Sequence, residues 1–97
     1  MAGYSDIDVG IAAACMTTAA WASGVGSCII GTLHREKTSQ LLGLPENLQV
    51  HTGIAFGYPA HRSFVVPLKD DQKKYWRDEN GDYHVPKYAL EDIVRYL

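Results

Sequence analysis

Cysteine is scarce in this chain of 97 residues: Cys15 and Cys28 are the two, and both stand in apolar surroundings. A disulfide-built scaffold needs more cysteines at closer spacing. The expectation is therefore two buried, reduced thiols and a cytoplasmic setting. An excess of charge of one sign is also missing. The 9 basic and 11 acidic residues interleave to a net charge of −2, with no basic stripe, which argues against nucleic acid as a partner. The N-terminal stretch MAGYSDID puts no positive charge ahead of its apolar run, so it does not read as a secretory signal. His34, His51, His61 and His84 stand too far apart for a metal-ligand pattern, and no nucleophile–base motif is present. No metal and no catalytic side chain are expected.

Charge is absent altogether from Val9 to Leu33. The length would span a bilayer. Its content is mostly Ala, Gly, Ser and Thr, with few large aliphatic residues, so a buried helix running into a buried strand fits better than a membrane span. Composition agrees: 46% apolar and 21% charged residues mark a globular chain. The length suits one small domain, 1–97, which buries roughly 60–65% of its unfolded surface.

The segment from Ser5 to Gly26 reads as one long helix. Ser5 or Asp6 is placed to cap it, Asp6 and Asp8 suit its N-terminal dipole, and Gly24 or Gly26 can stop it. Ile11, Cys15 and Thr18 recur at helical spacing, as do Ala12, Met16 and Ala19. A helix apolar nearly all round is expected to be buried on most faces. So short a chain offers little to cover it, which suggests a second chain or sequence absent here. SCIIGT then reads as a short buried strand. LHREKTSQLLGL reads as a short amphipathic helix with Leu33, Leu41 and Leu42 inward, and LQVHTGIAFGYP as a second strand beside the first. From His61 to His84 the chain is polar and loop-like. ENGD signals a turn there, with Tyr75 and Trp76 on one side and Tyr83 on the other able to form a small hairpin. Residues 85–97 form a tail closing in a turn or short helix at ALEDIVRYL.

Two glycine motifs fail at GVGSCIIGTL. A dinucleotide fingerprint would need glycine where Ile29 stands, and the order helix-then-strand is reversed for it. A phosphate loop from Gly26 would need lysine where Thr32 stands. From the residues alone, Gly31 can be a tight strand-to-helix turn or a point where backbone approaches a ligand.

The ordered set carries more than its pieces. An alanine-rich helix around DVGIAAA, then GVGSCIIG, LLGLPENLQV, GIAFGYP and LEDIVRYL together resemble the C-terminal half of the flavin-dependent nitroreductase family. The likeness is good over residues 6–59 and weaker over 85–97. It implies an α+β fold of nitroreductase type, present in part, with a long buried helix, short strands and small helices. It implies FMN as cofactor and hydride transfer from NAD(P)H by way of the flavin to a nitroaromatic or quinone-like acceptor. Cys28, Ile29 and Ile30 would wall the flavin ring, and an amide near Gly31 would face its redox nitrogen. Lys87 would meet the phosphate where the family more often has arginine, and Arg62 is a weaker candidate. Residues 61–84 would be a loop or hairpin insertion, which loosens the alignment of Lys87. Family members are dimers about twice as long, whose first half supplies further phosphate and ring contacts. The implied partner is therefore a homodimer mate or a complementary N-terminal half. The alternative is a non-catalytic half-domain that dimerises through its alanine-rich helix.

Overall fold

A computed structural model describes residues 2–97, and the chain divides into two contact units, one ending at Tyr58 and the other spanning Pro59–Leu97. Helices and strands occupy separate stretches in each, an α+β arrangement.

The first unit opens with helix α1, Ala2–Ala22. It begins earlier than the acidic pattern suggested, so Ser5 and Asp6 lie inside it rather than capping it. Its end is a Schellman turn. The Gly24 N–H donates to Trp21 O at 2.9 Å and the Val25 N–H to Ala20 O at 2.9 Å, with Gly24 at φ +78°. Only a residue without Cβ takes that left-handed conformation cheaply. Val9, Ala13, Thr17 and Ala20 are partly buried while nearly all the rest of the helix is exposed. That stripe, not the rows through Ile11 or Ala12, is the face turned to the sheet. Small side chains at Ala13 and Ala20 let the backbone come close.

Strand β1, Gly26–Ile30, pairs antiparallel with β2, Gly53–Gly57, with Cys28 opposite Ala55, Ile29 opposite Ile54 and Ile30 opposite Gly53. The two strands lie side by side as the order of segments suggested. Helix α2, Arg35–Leu41, links them. His34 caps it, its Nδ1 accepting the Lys37 N–H at 3.3 Å. A second Schellman turn ends it, where the Leu44 N–H donates to Ser39 O at 3.0 Å and Gly43 sits at φ +64°.

Four expectations about burial fail, for one reason, and the first is the strand read as buried: Ser27–Ile30 of β1 are exposed. The long helix is not buried on most faces: Ile11 and Trp21 are 59% and 67% exposed. Cys15 and Cys28 are free but exposed rather than buried. Leu41 and Leu42 point outward, and of the three leucines only Leu33 is partly buried. A helix laid against two short strands has one side covered, and this unit contains nothing to cover the others. No hydrophobic side chain is fully buried among the described residues.

The second unit is a mixed sheet. Strand β3, Ser63–Pro67, runs parallel to β5, Tyr83–Lys87, and β4, Trp76–Arg77, pairs antiparallel with β5 on its other side. Helix α3, Leu90–Ile93, follows. The strand at Ser63–Pro67 was not legible in a stretch that reads as polar and loop-like. The turn at ENGD is present, and Asp78 organises it. Asp78 Oδ1 accepts the amides of Asn80 at 2.9 Å and Asp82 at 3.0 Å, and Oδ2 meets His84 Nε2 at 2.9 Å. His84 stands in register between Phe64 and Trp76, stacked on Trp76 at 5.2 Å.

Candidate functional site

The segment Gly26–Thr32 sits on a two-stranded sheet. β1 has one neighbour, so its outer edge presents main-chain groups with no strand partner. Side chains alternate across a strand, which divides the three expected wall residues. Ile29 faces α1, lining a groove with Val9, Ala13 and Thr17. Its register partner Ile54 lines the neighbouring groove with Val9 and Met16. Cys28 and Ile30 therefore point to the opposite face, with Ala55 beside Cys28. There Leu33 approaches the strand, its Cδ2 3.6 Å from where a Cβ on Gly53 would stand. Cys28 and Ile30 share a wall; Ile29 lies behind it.

Gly31 follows directly. A Cβ built on it would meet no atom within 4 Å, and its φ lies outside the left-handed region that Gly24, Gly43 and Gly81 occupy. Neither conformation nor packing within this chain requires glycine there. The space beside the Gly31 backbone is open, as it is beside Gly10 and Gly57.

Lys87 is the last residue of β5, in the second unit. It is exposed and lines a groove with Pro67, Leu68, Tyr88 and Asp92. Arg62 is exposed too; its main chain is pinned, the N–H donating to Asp82 Oδ1 at 2.8 Å and the carbonyl accepting from Tyr83 N–H at 2.8 Å. Neither cation is in an ion pair among the described residues. A lysine without a carboxylate partner suits a phosphate as a point charge, although Asp92 on the same rim opposes it.

One polar constellation escaped the sequence reading. Asp6 on α1 and His51 before β2 are 45 residues apart, yet Asp6 Oδ1 and His51 Nε2 lie 2.8 Å apart. His51 Nδ1 lies 2.8 Å from Thr52 Oγ1. No spacing in the sequence signals such a pair; packing of α1 on the sheet creates it.

The family match ends where the first unit ends. The family model for the nitroreductase family matches residues 1–58. The chain belongs to the nitroreductase family. An FMN reductase (NADPH) of Bacillus subtilis (strain 168) is 35% identical to it over 71 residues, which are 71% of this chain and 28% of that protein. The chain thus spans less than a third of the length of that relative. The family match covers α1, both strands of the first sheet and Gly31, and leaves Lys87 outside it. No helix among the described residues is long and apolar enough to cross a membrane.

Proposed function

We propose that this chain is part of an FMN-dependent oxidoreductase that reduces nitroaromatic or quinone-like acceptors at the expense of NAD(P)H. The observation that carries the reading is the nitroreductase-family match over residues 1–58, which takes in α1, both strands of the first sheet and the open space beside Gly31. FMN, when bound, supplies the redox chemistry. The chain's part is to bind and orient. Cys28 and Ile30 offer an apolar wall that keeps water from one side of the ring. The Gly31 region offers a main-chain N–H without a side chain in the way. Lys87 offers charge for the phosphate. No protein nucleophile is needed, in keeping with the absence of a nucleophile–base motif in the sequence.

The fold is read as the C-terminal part of the family's domain, with 61–84 as an insertion and 85–97 as a tail. The site would be completed by a second copy of the chain or by a complementary N-terminal half. The decisive experiment is an absorbance spectrum of the purified protein before and after addition of FMN, with NADPH then added. Flavin bands that bleach with NADPH support the reading. Protein that stays colourless after FMN addition overturns it and favours the second reading, a half-domain that only dimerises. The exposed apolar faces of α1 are what keep that second reading in view.

A further inference from the structure

We propose that the outer edge of β3 is a self-pairing interface, to which a second copy of this chain adds its own β3, antiparallel, about a two-fold axis at Val65. Every residue involved lies in the second unit, so the interface stands or falls independently of the oxidoreductase reading.

The backbone decides which groups are free. β3 has β5 on one side, and among the described residues no strand pairs with its other side. Arg62 O accepts the Tyr83 N–H at 2.8 Å, and the Leu68 N–H donates to Lys87 O at 2.9 Å. Main-chain groups alternate in direction along a strand, so residues 62, 64, 66 and 68 turn theirs toward β5. Ser63 and Val65 therefore each turn an N–H and a C=O outward, and Pro67 a C=O alone. Such a row of unpaired groups is a template for another strand, and folded proteins usually guard it with charge, proline, a bulge or a very short strand. On β3 the one guard is Pro67, at its end. Ser63–Leu68 carries no charge, the register with β5 is unbroken, and Val65 at the centre is 74% exposed.

The edge fits its own copy. Centred on Val65, the midpoint of Ser63–Pro67, all residues of the strand are paired. Val65 exchanges two hydrogen bonds with its counterpart. Ser63 stands opposite Pro67 of the other copy, its N–H meeting the proline C=O, so the missing proline donor removes one bond at each end. In between, Phe64 faces Val66, an aromatic against a β-branched side chain at the closer spacing of antiparallel pairs. Centring on Phe64 instead would set Val66 against the charged Arg62, outside the strand. With no charge inside the paired segment, two identical edges meet without repulsion. The area allows it: the chain shows about 2,000 Å² more surface than two compact bodies of its units' sizes, and a stable pair of proteins covers about 800 Å² per partner. The pairing also closes on itself. It joins two three-stranded sheets into one whose outer strands are both β4, two residues long and too short to template another strand.

The test is amide hydrogen exchange by NMR on the full chain over a range of protein concentrations. The Phe64 and Val66 amides, bonded to β5, are expected to be protected throughout. The Ser63 and Val65 amides are expected to exchange freely in dilute protein and to slow about tenfold or more in concentrated protein. Val65→Lys, which brings like charges together on the axis, is expected to abolish that slowing while Phe64 and Val66 stay protected, the sign that the sheet is still folded. Val65→Thr is expected to keep it. With Cys15→Ser and Cys28→Ser in place, mild oxidation is expected to join chains through Val65→Cys and not through Ser63→Cys, because position 65 alone stands opposite itself. A Val65 amide that exchanges freely at every concentration overturns the proposal, and does so even if sedimentation shows a dimer, since the chains then meet elsewhere. Cross-linking as ready through Ser63→Cys as through Val65→Cys also overturns it, as does growth into fibres in place of a closed pair.

Discussion

At the scale of single residues, Gly31 offers the sharpest separation between folding and ligand binding. Most glycine substitutions confound the two, because the native backbone or its neighbours reject a side chain. Here a Cβ would enter empty space at an ordinary φ. Gly31→Val is therefore expected to leave thermal stability within about 0.5 kcal/mol of the parent, while weakening FMN binding at least tenfold in a fluorescence titration. Unchanged FMN affinity would mean that no flavin lies there. Lys87 is judged by a ligand difference. A charge-assisted contact to phosphate contributes roughly 1.5–3 kcal/mol, so Lys87→Ala should weaken FMN about ten- to a hundredfold and riboflavin hardly at all. Equal losses on both ligands would remove Lys87 from the phosphate site. Gly31 stood out in the sequence because glycine between β-branched residues and a helix is conspicuous. What the sequence could not say is that Ile29 turns away from Cys28 and Ile30. A one-residue difference in pleat phase decides that, and the phase is fixed by which strand face α1 covers.

At the scale of elements, the order helix, strand, helix, strand was legible because each has a local cause. Helical spacing, a β-branched pair and glycine stops are all visible in a short window. Gly24 shows the strength of that reasoning: its φ of +78° and the Schellman bonds make it the stop. Gly24→Ala is expected to cost about 1–2 kcal/mol of thermal stability, the penalty for a left-handed alanine. The β3 strand escaped notice because its cause is not local. Ser63–Pro67 is short, lies among polar residues and owes its extended form to parallel pairing with β5 across the hairpin. The hairpin carries its own pH dependence. The His84 ring, then the Asp82 and Asn80 amides, hold the Asp78 carboxyl below the usual carboxylate range. A carboxyl depressed in the folded state stabilises the fold above its unfolded pKa, and the contribution fades as pH falls through the folded one. Acidification below the ordinary carboxylate range should therefore loosen the Trp76–His84 stack. With Trp21→Phe leaving Trp76 as the single tryptophan, its fluorescence reports the loss directly. Asp78→Asn should flatten the acid transition, and a transition unchanged by that substitution would free Asp78 of the role.

At the scale of the whole molecule, the missing quantity is a core. The chain exposes 8540 Å² of surface at 10.7 kDa. A folded monomer of that mass exposes about 5,500 Å², and even two separate compact bodies of these sizes would expose about 6,500 Å². Two chains each burying an excess of about 2,000 Å² would cover about 4,000 Å² between them, within the range of obligate interfaces. The chemistry of that excess points the same way, since Ile11, Met16 and Trp21 spread apolar surface around α1 with no charge between them to keep water favourable. The helix that reads in the sequence as apolar nearly all round is where this uncovered surface lies. Folding and association should therefore be one equilibrium, with a melting temperature that rises with protein concentration. Sedimentation equilibrium is expected to give at least twice the mass of one chain, and Ile11→Asp, which places a charge on the exposed face of α1 without touching its packing on β1, to shift the population toward the single chain. A species of one-chain mass whose melting temperature does not depend on concentration would show that these faces stay in water unaided, and the argument from missing core would then fail at its first step.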